Sequence, residues 1–317
     1  MSTSPSSRQP MGPLSVGNVV SAGLRLYRDH FKSYFGVAFR ATLWALLPFL
    51  VLIPIPLLLI GGKPNLATVS LLIPLGIVLF FYGMAKYTAN SALISRLAFG
   101  ELVNKHESTQ EASSQVNRKF WIFFRTFFLY FLISCGLVLG FYILVALIGF
   151  IGAFVAAFVR ENIAAIVIIV LLGITAFAVS LSALIRSFTR FFMFEVPLAI
   201  EENIKATQTI RRSWDLTKGH VGRIFLILTI AFFVTFPLYI VAQIGVKIVQ
   251  EFMIKLVEVN PLDINFQLLL FLVAYVLGLV VGAVFLPFWQ AIKAVIYYDL
   301  RTRREGLALQ LRDWQSQ

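Results

Sequence analysis

The sequence predicts an all-α integral membrane protein with about six transmembrane helices, arranged as three parallel two-helix repeats with amphipathic helices at the membrane interface. Three observations lead to this fold class. Of 317 residues, 59% are hydrophobic and only 13% are charged, whereas soluble domains carry about 25% charged residues. The charge-poor stretches are long enough to cross about 30 Å of hydrocarbon as helix. Basic residues collect at one end of these stretches, as the positive-inside rule requires.

The six predicted spans are apolar stretches separated by polar segments. They cover residues 41–60, 68–95, 126–158, 163–185, 224–246 and 264–292. The uncharged run that contains the third span, from Thr126 to Val159, is longer than one crossing needs. This excess predicts either a strongly tilted helix or a helix that ends in a short re-entrant piece.

The distribution of charge predicts the orientation of the chain. All but four of the 27 basic residues fall on one side of the predicted membrane, the exceptions being Lys63, Arg160, Lys247 and Lys255. The net charge of +12 falls on the same side. Because cytoplasmic segments carry the excess of Lys and Arg, we expect both termini in the cytoplasm, with a plasma membrane as the default location. No aromatic-basic motif accompanies the charge, so nucleic acid is not an expected partner.

Sequence similarity between segments predicts three repeats. Ser91-Ala92-Leu93-Ile94 recurs as Ser182-Ala183-Leu184-Ile185, each near the end of a unit. Two crossings per unit make the units parallel. The predicted organisation is a disordered cytoplasmic tail at 1–13, repeats at 14–100, 101–196 and 197–306, and a second cytoplasmic tail at 307–317. Each repeat consists of a polar or amphipathic segment followed by two transmembrane helices.

The first interfacial helix is expected from about Ser15 to Phe35. Apolar residues recur on one face at a spacing of three or four. Ser15 is a suitable N-cap. The corresponding segment of the second repeat, Glu101–Lys119, is polar and lacks a clear apolar stripe.

The interfacial helix of the third repeat is expected to follow Pro197, with Glu201 and Glu202 in its first turn. Lys218 and Gly219 would end it. Such a helix either contacts lipid headgroups or packs against the ends of the bundle, and the two interpretations are compatible.

A basic surface on these segments is the candidate binding site. It would attract anionic lipid headgroups or an acidic protein partner of unknown identity, with each cation near an anionic surface contributing about 1 kcal/mol. The residues assigned to this interface are Arg25, Arg28, Lys32, Arg211, Arg212, Trp214, Lys218, Arg301, Arg303 and Arg304.

Three motifs carry a family resemblance: Leu14-Ser15-Val16-Gly17 with Leu26-Tyr27-Arg28, Glu201-Glu202-Asn203 through Arg212-Ser213-Trp214-Asp215-Leu216-Thr217-Lys218-Gly219, and Tyr297-Tyr298-Asp299-Leu300-Arg301-Thr302-Arg303-Arg304-Glu305-Gly306. They resemble the membrane domain of glycerophosphoryl diester phosphodiesterases and related free-standing bacterial multi-pass proteins. The resemblance implies a helical membrane domain and a bacterial plasma membrane as its location. Hydrolysis in the fused members needs a separate soluble barrel of about 250 residues with acid, base and metal ligands, so the resemblance implies no activity for these interfacial motifs.

No motif of a catalytic, metal or cofactor site is present. His30, His106 and His220 occur singly, and the sequence has no nucleophile elbow, phosphate loop or dinucleotide fingerprint. We therefore expect a non-enzymatic protein of membrane organisation or of lipid or partner anchoring, without metal or cofactor. The alternative is a transporter or lipid-handling channel, whose polar path through the bundle would pass Asn90, Gln243 and Gln290.

Overall fold

The computed structural model describes residues 12–48, 66–159, 162–257 and 264–307, and this part of the chain is helical without a strand. Its helices, in chain order, are α1 (Val16–Asp29), α2 (Phe31–Leu46), α3 (Leu66–Leu102), α4 (Thr109–Arg118), α5 (Phe120–Phe158), α6 (Ile163–Phe191), α7 (Val196–Ile200), α8 (Ala206–Thr217), α9 (Val221–Val257) and α10 (Ile264–Glu305).

Five segments of the described chain are long and apolar enough to cross a membrane. They are Ser70–Leu102, Phe120–Phe158, Ile163–Ile200, Val221–Leu256 and Phe266–Glu305. These segments confirm a helical, multi-pass membrane architecture, and each contains one of the last five predicted spans or most of it. The first predicted span, 41–60, lies outside the described residues beyond position 48, so the sixth crossing stays a prediction.

Helix α5 is one unbroken helix from Phe120 to Phe158. Its length at the helical rise is about 58 Å, which exceeds the thickness of a bilayer, so a straight crossing would need a strong tilt. Its buried residues all lie at the start of the helix, between Phe120 and Phe127. The remaining surface is apolar and exposed, as at Phe150 and Phe158. Such a surface is stable only against lipid or another apolar partner.

The buried core lies at one end of the helix bundle, which we call the basic end. Here α1, α4 and α7 pack against the beginnings of α2, α5 and α9 and against the ends of α3 and α10. The last part of α10 is the centre of this core, with Ile292, Val295 and Tyr298 fully buried. Helix α1 crosses α10 closely at Gly23, where a Cβ atom would lie 2.5 Å from the Ile292 Cδ1 atom.

The first interfacial helix is shorter than expected. Ser15 is its N-cap, as predicted, and the Ser15 hydroxyl accepts a hydrogen bond from the Asn18 amide at 3.2 Å. The expected end at Phe35 is wrong, because the helix ends at Asp29 and α2 begins at Phe31. The intervening His30 has φ −118° and ψ 20°, outside the helical region. This break separates α1, which packs in the core of the basic end, from α2, which continues the chain in a new direction.

The helix of the third repeat also differs from the expectation at its start. A short helix, α7, ends at Ile200, Glu201 is extended, and Asn203 has a positive φ of 56°. Helix α8 starts only at Ala206, so the prediction that Glu201 and Glu202 lie in its first turn is wrong. The predicted end is confirmed, since Gly219 has φ +81°, a conformation that favours glycine.

Candidate functional site

Asp299 of α10 holds the backbone of Leu14, which lies just before α1. The Asp299 side chain is only 2% exposed and accepts hydrogen bonds from the Leu14 amide at 2.8 Å, Arg223 at 3.1 Å and Arg303 at 3.0 Å. Both arginines also donate to the Leu14 carbonyl oxygen. One buried carboxylate thus joins the N-terminal segment, α9 and α10, and two arginines balance its charge.

A second ionic cluster connects the segment after α7 with α8 and α10. Glu201 accepts hydrogen bonds from Arg212 at 2.9 Å and from the Tyr297 hydroxyl at 2.5 Å. Arg212 also pairs with Glu305 at 2.5 Å, and Glu305 pairs with Arg301 at 2.8 Å. The cationic groups of Arg212 and Arg301 are therefore directed toward acidic side chains of the same protein.

Two more cations bind backbone carbonyl groups at helix ends. Arg96 forms a two-pronged ion pair with Glu107, at 2.7 and 2.8 Å, and donates to the Ala199 carbonyl oxygen at 2.6 Å. Arg304 donates to the carbonyl oxygens of Asp215, at 2.5 Å, and Lys218. Arg304 thus adds a charged donor at the C-terminal end of α8, where the Asp215 carbonyl oxygen also accepts from the Lys218 amide at 3.3 Å.

Lys119, between α4 and α5, is partly buried and is close enough to Arg96 to feel its charge. Its ammonium group donates to the Leu198 and Glu201 carbonyl oxygens at 3.3 and 2.6 Å. Burial lowers the pKa of Lys119 and the Arg96 cation lowers it further, whereas the Glu202 and Glu201 carboxylates oppose this decrease. Lys119 links the start of α5 to the segment after α7.

A buried ion pair lies deeper in the bundle. Lys293 of α10 donates to the Glu195 Oε1 atom, and the two side chains are 14% and 3% exposed. Gln290 donates to the same oxygen at 3.4 Å and accepts from the Ser95 hydroxyl at 2.6 Å. The Glu195 Oε2 atom is buried without a hydrogen-bond partner among the described residues. The Lys293 ammonium lies 4.7 Å from the ring centroid of Phe192.

The ten residues of the predicted basic surface therefore separate into two groups. Arg212, Arg301, Arg303 and Arg304 bind acidic or carbonyl groups of the same chain. Arg303 and Arg304 are exposed despite these contacts. The other basic residues are also exposed, and their only ion pairs within the described chain are the exposed contacts Arg28–Asp29 at 3.3 Å and Arg211–Asp215 at 3.5 Å. The members of this second group are Arg25, Arg28, Lys32, Arg211 and Lys218. Trp214 is partly exposed and packs on Arg190.

The three residues of the predicted polar path lie in different settings. Asn90 donates to the Lys86 carbonyl oxygen of its own helix at 2.8 Å. Gln290 belongs to the buried cluster of Glu195 and Lys293, and Gln243 of α9 is partly buried. Over the described ranges, no hydrogen bond joins any two of these three side chains.

Two histidines that are distant in sequence meet at one carboxylate. His30 and His106 lie 3.5 and 3.0 Å from the Glu101 Oε1 atom. Across the described part of the chain, no group of three His, Cys, Asp or Glu side chains could hold a metal ion.

Glu195, Lys293 and Asp299 are the central charges that the sequence interpretation did not assign to the site. Each has a local signal, because each lies between strongly apolar neighbours, as in Phe194-Glu195-Val196. A charge in such surroundings needs a partner when it is buried. The partner could not be identified from the sequence, since Leu14 and Asp299 are far apart in the chain.

No family model matches the chain, and comparisons with curated proteins and with solved structures give no significant match either. The resemblance to the phosphodiesterase membrane domain therefore stays an expectation from the three sequence motifs.

Proposed function

We propose that this protein is a non-enzymatic membrane-organising or anchoring protein whose basic end binds anionic lipid headgroups or an acidic partner. The observation that carries this proposal is the division of its cations. Arg212, Arg301 and Arg303 pair with acidic residues, and Arg304 binds backbone carbonyl oxygens. In contrast, Arg25, Lys32 and Lys218 are exposed without a carboxylate partner in the described chain. Exposed cations near an anionic membrane contribute about 1 kcal/mol each.

The order of the helices supports the proposal of three repeats. Each proposed repeat would consist of a short helix followed by two long helices. This order occurs in α4–α5–α6 and in α8–α9–α10, and α1–α2–α3 begins in the same way. In this arrangement the short helices lie together at the basic end. By the positive-inside rule that end faces the cytoplasm of a bacterial plasma membrane, with both termini on the same side. The arrangement is compatible with the proposed relation to the phosphodiesterase membrane domain.

The test is the lipid composition around the reconstituted protein. The variant Arg25→Gln/Lys32→Gln/Arg211→Gln/Lys218→Gln should retain less phosphatidylglycerol than the native protein in polymer-bounded nanodiscs taken from mixed phosphatidylcholine and phosphatidylglycerol membranes. A control, Lys247→Gln/Lys255→Gln, removes exposed lysines from the end of α9 that lies away from the basic end. Equal phosphatidylglycerol enrichment in the native protein and the fourfold variant would refute the proposed role of this surface.

Transport is the second candidate function, and the buried pair of Glu195 and Lys293 favours it. Ionisable residues buried within a membrane helix bundle frequently mark ion or proton pathways. This pair lies at the basic end of the bundle, and one oxygen of Glu195 has no partner among the described residues. A proton pathway predicts a pH-gradient-driven proton flux in proteoliposomes that Glu195→Gln abolishes. Anchoring predicts no flux with either protein.

A further inference from the structure

A groove extends along the last half of α6, and Trp214 of α8 and Val221 of α9 contribute to its lining. Its volume is about 600 Å³. The lining side chains of α6 are mostly small or apolar, and the lining residues are Thr175, Ala178, Val179, Ser182, Ala183, Arg186, Ser187 and Arg190, with Trp214 of α8 and Val221 of α9. An adjoining hollow of about 500 Å³ continues it past Gly219, Gly222 and Phe225.

The groove has the length of a lipid chain. Thr175 and Arg190 lie about 22 Å apart along the axis of α6 at the helical rise. Arg190 is at the basic end, so Thr175 lies deep in the hydrocarbon region of a bilayer, whose core is about 30 Å thick. A ligand that fills the groove therefore extends from the headgroup level into the membrane interior.

The hydroxyl groups along the groove do not require a polar ligand. Those of Thr175 and Ser187 donate to the Leu171 and Ala183 carbonyl oxygens within α6, at 2.8 and 2.9 Å. The rest of the deep wall is formed by aliphatic side chains such as Ala178 and Val179. This wall matches an acyl chain better than a soluble polar molecule, because apart from the Ser182 hydroxyl it offers mainly apolar area.

The end of the groove nearest the basic end carries two arginines that pair with no acidic residue of the described chain. Arg186 is exposed, and Arg190 lies with its guanidinium carbon 4.1 Å from the ring centroid of Trp214. Within the described residues neither arginine forms an ion pair, in contrast to Arg96 and Arg223. Stacking on an aromatic ring leaves the edge of the guanidinium available, and this edge matches the geometry of a phosphate. The N-terminal end of the long helix α9 adds positive partial charge at Val221.

We propose that this groove binds one anionic phospholipid, with its phosphate at Arg186 and Arg190 and an acyl chain along α6 toward Thr175. The site deepens the proposed function and rests on it for the orientation of the basic end. It differs from the exposed basic surface in one respect: it holds a single lipid at a defined position. Arg186 and Arg190 do not belong to the residues of that surface.

The experiment is native mass spectrometry of the full chain in mild detergent after incubation with phosphatidylglycerol or phosphatidylcholine. The native protein should retain one phosphatidylglycerol molecule and little phosphatidylcholine. Arg186→Gln/Arg190→Gln should weaken phosphatidylglycerol retention about tenfold or more, because two charge-assisted contacts are lost. Ala178→Phe should reduce retention by filling the apolar part, since Ala178 is exposed in the groove and its replacement leaves the core intact.

Matched controls separate this site from its alternatives. Leu181→Phe adds a ring on the opposite side of α6, and Arg25→Gln/Arg28→Gln removes two exposed cations from α1; both should retain the lipid. Unchanged retention in Arg186→Gln/Arg190→Gln, or equal retention of phosphatidylcholine, would overturn the proposal. Full displacement by inorganic phosphate together with normal retention in Ala178→Phe would indicate a site for free anions and would also overturn it.

Failure of the groove proposal can be distinguished from failure of the proposed function of the exposed surface. If the fourfold variant of the exposed surface keeps both its lipid enrichment and the single bound lipid, the surface proposal fails and the groove stands. If the groove variants keep the single lipid while the fourfold variant loses its enrichment, the groove proposal fails and the surface stands.

Discussion

Replacing Lys293 with Met should destabilise the protein strongly. The change leaves the Glu195 carboxylate in a site where it is 3% exposed, with Gln290 at 3.4 Å as its remaining hydrogen-bond donor among the described residues. Removing one partner of a buried ion pair costs about 3–5 kcal/mol, because the other charge stays buried without compensation. The free energy of unfolding, measured in mixed dodecylmaltoside and sodium dodecyl sulfate micelles, should fall by that amount.

The double variant Glu195→Gln/Lys293→Met distinguishes a charge effect from a packing effect. Replacing both members of a buried pair by neutral groups of similar volume is often close to neutral, so the double variant should be more stable than Lys293→Met alone. The coupling energy of the cycle should be about 1–3 kcal/mol. Lys247→Met, at an exposed lysine of α9, should change stability little. Additive single effects, or a loss below about 1 kcal/mol in Lys293→Met, would refute this reasoning.

Two further predictions use neighbouring or equivalent positions as internal controls. Gly83→Ala should lower the free energy of unfolding by about 1–3 kcal/mol, because its Cβ would lie 2.6 Å from a carbonyl oxygen of α2. The control Gly136→Ala, with open space at its Cβ, should not be destabilising. An equal loss of stability in both variants would contradict the clash at Gly83. Arg212→Gln should cost about 1–3 kcal/mol through the loss of two charged contacts, whereas Arg211→Gln, at a side chain 84% exposed, should change stability by less than about 0.5 kcal/mol. The same unfolding assay decides both, and equal effects for the two arginines would show that the inward pairing does not stabilise the fold.

Helix ends were predictable where a local signal determines them. The N-cap at Ser15 and the end of α8 before Gly219 depend on residues within one helical turn, and both were predicted correctly. The breaks at His30 and Asn203 were missed. No proline or glycine marks either position, and the surrounding apolar spacing is compatible with a continuous helix. Packing of the basic end determines these two turns.

The role of each basic residue in the candidate site was not predictable from its sequence neighbourhood. Arg211 and Arg212 are adjacent and chemically identical, yet only Arg212 reaches Glu201 and Glu305. Residues one position apart on a helix point about 100° from each other, so the face that meets the core decides between them. Likewise the groove beside Arg190 is lined by side chains of three helices, and no sequence pattern on a single helix describes such a site.

The sequence by itself determined that this protein is helical, that it is long and apolar enough to cross a membrane several times, and that its positive charge collects at one end. These properties are sums over local segments, since hydrophobic length and charge add residue by residue. Only the tertiary structure decided that Asp299 binds the Leu14 amide, that Glu195 pairs with Lys293, and which arginines remain exposed. Those contacts join residues distant in the chain, and their free energy exists only after the helix faces have packed together.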